Sequence, residues 1–352
     1  MSTDTGPQTG AGHGPVPERS ERDKLDSEVR PGAPGGTPGR TSVLRGGSGR
    51  GDRVFSLLSL GAGSLVLVII VAIALFLVVR AVPALRENTV GFFTTRDWFP
   101  NDPQPRFGIV ALAWGTLLSA TIALILACPV AVGVALFISH YAPRRLASIL
   151  GYIVDLLAAV PSIVFGLWGI FFLNDKIITV SKFLNQHLGW IPIFASDGAY
   201  GRSIFLAGVV LAIMILPIVA ALSREVFLQT PNTNEEAALA LGATKWEMIR
   251  TAVIPYGRPG VIGATMLGLG RALGETIAVA VVLSANFEIV VKILEPGGNT
   301  VAANIANAFG ESNAIGRGAL IASGLVLFTI TLAVNMSARA VINRRREFRD
   351  AL

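Results

Sequence analysis

Residues 235–257 read EEAALALGATKWEMIRTAVIPYG, a charged and amphipathic stretch lying between long apolar runs. Thr233 and Glu236 have the spacing of a capping box, in which a hydroxyl accepts an orphan backbone N–H and a carboxylate reaches back to the cap residue. A short helix is predicted to start there and to run through the strong formers Ala237, Ala238, Leu239, Ala240 and Leu241. Gly242, which adopts a left-handed conformation at little cost, is expected to end it. Thr244 and Glu247 repeat the capping spacing, predicting a second helix through Met248 and Ile249 that stops at Pro255. The expectation is helix, glycine bend, helix. Helices below about 12 residues are marginal alone in water, so this knuckle needs a surface to lie on. Its apolar Leu239, Leu241, Trp246, Met248 and Ile249 leave two surfaces open: the ends of its own neighbouring spans, or a groove in a soluble partner.

The surroundings of the knuckle are mostly oil. Apolar residues make up 52% of the 352 and charged residues 15%, which places the chain in the membrane class. Six windows are long and apolar enough to cross a hydrocarbon layer of about 30 Å: 57–79, 109–138, 146–173, 203–222, 259–283 and 318–341. Within lipid every backbone amide needs an internal partner, so these windows are predicted to be helices. The fold class is therefore an all-α polytopic membrane protein with six transmembrane helices. Residues 1–53, rich in Gly, Pro, Ser and mixed charge, have no apolar run to offset the entropy of ordering and are expected to be a disordered cytoplasmic tail. The first apolar segment begins too late for a cleaved signal peptide, so the tail is expected to stay attached. Residues 54–352 are expected to form one six-span transmembrane domain, with the loop 233–255 inside it.

Lys and Arg set the direction of the spans. Arg40, Arg45, Arg50 and Arg53 precede the first; Arg144 and Arg145 follow the second; Arg224, Lys245, Arg250 and Arg258 follow the fourth; Arg344, Arg345, Arg346 and Arg349 follow the sixth. All four groups fall on one side, which predicts a cell-membrane protein with both termini and the knuckle in the cytoplasm. The same clustering accounts for the net charge of +6 without nucleic acid, since the basic residues lie beside apolar spans rather than among aromatics. On the other side, the loop carrying Trp98, Phe99, Pro100 and Phe107 reads equally as a plain linker or as a packed outer ledge.

Arg271 and Glu275 fall near the middle of the fifth span, where each unpaired charge costs roughly 2.5–3.5 kcal/mol by insertion scales. At i, i+4 they would share one helix face, as a pair that staples helices. Alternatively Arg271 lines a watered path and binds an oxyanion through its planar fork, with Glu275 holding it or competing for it. Asp155, in the first turns of the third span, either pairs with a basic neighbour or lines a polar seam. Gly270 and Gly274 are expected to form a close helix-packing face rather than a nucleotide turn, because no strand precedes them. Pro129, Pro161 and Pro217 are expected to kink their spans. Cys128 has no partner for a disulfide, and His13, His140 and His187 lack metal-site spacing, so no bound metal is predicted.

Glu236-Ala237-Ala238, Gly242 and the run ending at Pro255 resemble the EAA loop of ABC-importer permeases. This sequence has Ala252 and Ile254 where isoleucine and leucine are usual. In that family the loop sits in a cleft of an ATPase subunit, so the resemblance implies that Glu236, Ala237, Ala238 and Gly242 are docking residues. RALGET (271–276), DLLAAVPSIVFGLWG (155–169), RDWFP (96–100) and GTLLSA (115–120) further resemble the PstC-type permeases of phosphate-specific importers, a likeness that covers residues 55–345.

The resemblance implies a type I (MetI-like) importer bundle and one half of a heterodimeric channel. It implies a PstA-type permease partner, a PstB-type ATPase dimer, an extracytoplasmic PstS-type binding protein and inorganic phosphate as cargo. With no P-loop sequence and no Gly-Lys pair, this chain is expected to have no cofactor of its own; ATP-Mg would belong to the ATPase partner. It is not expected to be an enzyme, because no nucleophile and base stand together near the spans. A permease for sulfate or molybdate, and a phosphate-sensing subunit that does not conduct, are the rival readings.

Overall fold

The computed structural model describes residues 50–350, with side chains over 51–340. The chain forms two units, residues 1–66 and 67–352. In the first unit residues 51–66 are opening turns of helix α1 (Arg50–Glu87), and their side chains are exposed, as on a helix that faces lipid. The tail expected to be disordered lies outside the described residues, except that residues 50–53 are already helical.

In the second unit the chain leaves α1 for a two-stranded ribbon, β1 (Trp98–Phe99) antiparallel to β2 (Arg106–Phe107), with Trp98 opposite Phe107. Phe107 is fully buried, Trp98 stacks on Phe287, and Asn88 clasps the Phe107 backbone through both its amide nitrogen and its carbonyl oxygen. The segment between α1 and the next long helix is thus a packed ledge. Trp98, Pro100 and Phe107 are buried in it and Phe99 remains exposed.

Helix α2 (Val110–Leu136) runs on through a π-turn at Phe137–Tyr141, and α6 (Ile204–Leu228) lies against it. Ala120, Ala123, Ala127, Ala131 and Ala135 form a buried stripe at three- and four-residue spacing on α2. Small residues at such a seam let backbones approach closely, which is how helices associate where the surrounding lipid is as apolar as the core. Pro129 and Pro217 are both accommodated without ending their helices.

Two predicted spans are broken. The window 146–173 becomes α3 (Arg144–Ala158) and α4 (Ser162–Trp168), separated before Pro161. Pro161 removes an N–H and pushes Val160 out of the helical region, so the helix ends rather than kinks. After the break, α4 continues through a π-turn, Gly169–Leu173, into α5 (Asn174–Leu188). The window 259–283 divides into α9 (Ile254–Leu273) and α10 (Ile277–Val282). Among the described residues five helices are therefore long and apolar enough to span, the fifth predicted window not being one of them. Helices α11 (Val301–Ala308) and α12 (Ala314–Asp350) complete the unit.

Candidate functional site

The knuckle consists of α7 (Asn232–Ala240) and α8 (Lys245–Met248). Gly242 sits between them at φ +85°, the left-handed conformation that its sequence position called for. Two bonds close the bend: the Gly242 N–H donates to Leu239 O (2.9 Å) and the Ala243 N–H to Ala238 O (3.2 Å), satisfying the last carbonyls of α7. The capping box of α8 is complete. Thr244 Oγ1 accepts from the Glu247 N–H, and Glu247 Oε2 accepts from both the Thr244 N–H and its hydroxyl at 2.8 Å. The bond from the Thr244 backbone, and then that from its hydroxyl, hold the Glu247 carboxyl below its ordinary pKa.

The capping box expected at Thr233 does not form. Pro231, with extended dihedrals, is the N-cap, and its carbonyl accepts from the Asn234 N–H (3.0 Å). The helix therefore starts ahead of Thr233 and carries Thr233 and Glu236 inside its first turns, where they cannot cap it. Nor does the second helix stop at Pro255: a π-turn at Ile249–Val253 leads directly into α9, whose first turn takes up Pro255.

The apolar residues of the knuckle divide between two surfaces. Met248 and Ile249 are buried with Ala135, Leu136, Phe227 and Val253. Leu239, Trp246 and Leu241 are exposed, Leu241 at 90%. Glu236, Ala237 and Gly242 lie on the exposed side, and Ala238 is half-buried. In the π-turn that follows α2, the half-buried His140 bonds Glu235 (Nε2 to Oε1, 3.3 Å) and Lys245 lies over the Tyr141 ring. The knuckle is thus anchored to the bundle by one face and presents the other.

At the far end of α9, the break after Leu273 separates Arg271 from Glu275, which on an unbroken helix would share one face. Glu275 is buried at 8% exposure, and its Oε1 accepts from the Ala278 N–H (3.2 Å) in the first turn of α10. At the other end of α10 the Arg202 guanidinium donates to the carbonyls of Val281, Val282 and Leu283. Carboxylate at the N-terminus and cation at the C-terminus both complement the helix dipole. Among the described residues no ion pair joins Arg271 to Glu275, and Arg271 Nε is buried without a hydrogen-bond partner. Arg271 instead lines a cavity of about 730 Å³.

Nor do Gly270 and Gly274 form the expected packing face within this chain. A Cβ on Gly270 would meet nothing within 4 Å, because Gly270 lines the same cavity. The close approach is made by other glycines. A Cβ on Gly257, Gly260 or Gly268 would strike Phe227, Val226 or Val219 of α6 at 2.7, 2.5 and 2.7 Å. Asp155, on α3, pairs with Arg224 of α6 (3.5 Å), whose guanidinium also bonds Glu225 (2.8 Å). Gly151 makes room for that guanidinium, since a Cβ there would meet Arg224 Nη1. These residues face a second, smaller cavity of about 410 Å³.

Residues 127–347 match the family model described as "Binding-protein-dependent transport system inner membrane component". The chain is 53% identical over 297 residues to phosphate transport system permease protein PstC 2 of Mycobacterium tuberculosis, covering 83% of this chain and 92% of that one. Its identity to the PstC proteins of Mycobacterium leprae and Xylella fastidiosa (Temecula1) is 50% and 41%, over 77% and 84% of this chain and 87% and 91% of theirs. The chain belongs to this family of transport permeases. Among solved structures, a chain of the MetNI methionine ABC transporter is similar at a TM-score of 0.47 and 18% identity, covering 66% of this chain and 95% of that one.

As a member of that family the permease is a non-catalytic component of a multi-pass membrane system. The residues singled out from the sequence fall into three places. Glu236, Ala237, Ala238 and Gly242 share the knuckle; Arg271 lies on the large cavity; Asp155 lies with Arg224 in the polar seam. Glu275 belongs to the capping of α10 rather than to the cavity lining. Sequence reasoning missed His140 and Arg202, whose partners are 95 and about 80 residues away. No local spacing points to either.

Proposed function

We propose that the permease carries inorganic phosphate inward as one half of a two-chain channel, with a PstA-type permease as the other half. A PstB-type ATPase dimer, holding ATP-Mg, docks on the knuckle from the cytoplasm, and a PstS-type binding protein delivers phosphate at the outer ledge. In this reading both termini are cytoplasmic, in keeping with the Lys and Arg clusters. One observation carries it: the chain is helical without interruption from Lys245 in the knuckle, through the π-turn, to Leu273, two residues beyond Arg271. A push on the exposed Trp246, in the first turn of that helix, therefore has a rigid path to the arginine.

Arg271 presents a planar fork suited to two oxygens of one phosphate. Glu275, engaged with the α10 backbone, does not compete for it in this conformation. The anion meets a donor that no carboxylate among the described residues occupies. Binding at such a site has to be firm enough to admit the ion and weak enough to release it. The relatives' identity to PstC proteins favours phosphate over sulfate or molybdate as cargo.

The test is ATP-driven uptake of radiolabelled phosphate by the assembled complex in vesicles. Arg271→Gln is expected to lower uptake at least 100-fold with assembly intact; normal uptake by that variant refutes the role of Arg271. Uptake of radiolabelled sulfate by the wild-type complex, with phosphate itself not carried, would remove phosphate as cargo. A cysteine placed at Ala237 is expected to crosslink to the ATPase, and failure to reach any nucleotide-hydrolysing chain overturns the docking.

A further inference from the structure

The cavity beside Arg271 has a second wall that the reading above leaves unused. Asn335 and Arg339 on α12 line it together with Arg271 and Gly270 of α9. Their i, i+4 spacing puts both on one face of α12, with the small Ala338 beside them also lining the space. Across the gap, a Cβ on Gly263 or Gly270 would meet nothing within 4 Å, so α9 leaves the space open at both positions. The lining thus holds two guanidinium groups and an amide, and no Asp or Glu contributes to it. Among the described residues neither Arg271 nor Arg339 has a carboxylate within ion-pair distance. Arg271 Nε is buried without a partner and Arg339 is exposed; two like charges facing one cavity repel each other, and the arrangement is balanced when an anion enters.

We infer that Asn335 and Arg339 complete, with Arg271, a two-arginine binding cavity for a phosphate-type oxyanion. This deepens the proposed function and rests on it, with the transported ion as the occupant. Each fork offers parallel N–H donors to two oxygens, and the Asn335 amide adds an uncharged donor without trapping charge. Paired stations also let the ion move from one guanidinium to the other without meeting a carboxylate. Conduction through a selective path requires that kind of shared, divisible binding.

The experiment uses the complete transport complex in liposomes, made either of phosphatidylcholine alone or with phosphatidylglycerol added, and reads phosphate uptake per assembled complex. Arg339→Gln is expected to lower the maximal rate at least tenfold in both lipids. The half-saturating phosphate concentration, set by the external receptor, is expected to stay within twofold. Arg339→Lys is expected to recover at least a third of the wild-type rate, because it restores charge though not the fork. Should Arg339→Gln fail to assemble, Asn335→Asp takes its place. It is nearly isosteric and sets a carboxylate against the arginines, so a tenfold loss is expected there as well.

Wild-type rates in either Arg339→Gln or Asn335→Asp overturn the inference while leaving the phosphate reading intact. It is likewise overturned if wild-type uptake needs phosphatidylglycerol and Arg339→Gln removes only that stimulation, since the cavity's ligand is then a lipid headgroup. Absence of phosphate uptake by the wild-type complex in both lipids overturns the reading and the inference together.

Discussion

Helix α9 presents glycines on two faces with opposite surroundings. On one face Gly257, Gly260 and Gly268 bring its backbone against Val226, Phe227 and Val219 of α6, with the buried Ala264 continuing the stripe. On the other, Gly263 and Gly270 open onto the cavity that holds Arg271. The same residue type serves adhesion on one side and vacancy on the other. A glycine in a membrane helix therefore has no fixed meaning until its neighbour is known: the lack of a side chain either admits another backbone or leaves space for water and an ion.

Exchanging the two kinds of glycine tests that comparison most severely. Gly268→Leu forces a branched side chain into Val219, and overpacking of this sort costs about 1–3 kcal/mol or more. Loss of most folded protein from detergent extracts is the expected result, and a normal yield of active complex would break the comparison. Gly270→Leu is expected to leave the folded yield within twofold, because its side chain enters open space, and to lower phosphate uptake at least tenfold by filling the path. A variant that folds poorly but transports normally per complex would reverse the assignment of the faces.

Smaller effects are expected where motion enters α9. Gly242→Pro imposes φ near −65° on a residue held at +85° and is expected to uncouple the complex: ATP hydrolysis continues while uptake falls severalfold. Unchanged coupling would count against the knuckle as the input. Thr244→Ala removes the hydroxyl that caps α8, a loss of about 1 kcal/mol of local helix stability, and is expected to reduce uptake two- to threefold. The smallest effect is one of pH. The bonds from Thr244 lower the pKa of the Glu247 carboxyl, so its contribution is present above the unfolded value of about 4.3 and is lost as pH falls through the lowered one. The protection factor of the amides at residues 244–248, the intrinsic exchange rate at each pH divided by the observed one, is expected to stay constant from pH 8 to 5 and to fall below pH 4 in the wild type. Thr244→Ala is expected to weaken that acid response.

Much of this arrangement was legible locally. The demand of lipid for internally bonded backbone made the apolar windows helical, Gly242 marked the bend, and Thr244 with Glu247 marked the start of α8. The EAA-like run placed Glu236, Ala237 and Ala238 on one short element. Other expectations failed for a common reason: each rule supposed that the helix around it continued, or began, where the pattern alone suggested. Pro231 capped α7 ahead of Thr233, Pro161 ended a span expected only to kink, and the break at Gly274 parted Arg271 from Glu275.

The sequence by itself determined a helical membrane bundle with a capped, glycine-bent knuckle, because hydrogen-bond demand, capping and turn chemistry act over three or four residues. Only the tertiary structure decided which glycines close on a neighbour, that Arg202 holds the C-terminal end of α10, and that Arg271 looks across a cavity toward Asn335 and Arg339. Those relations join residues tens of positions apart. Packing of whole helices sets them, and no periodicity along the chain records it.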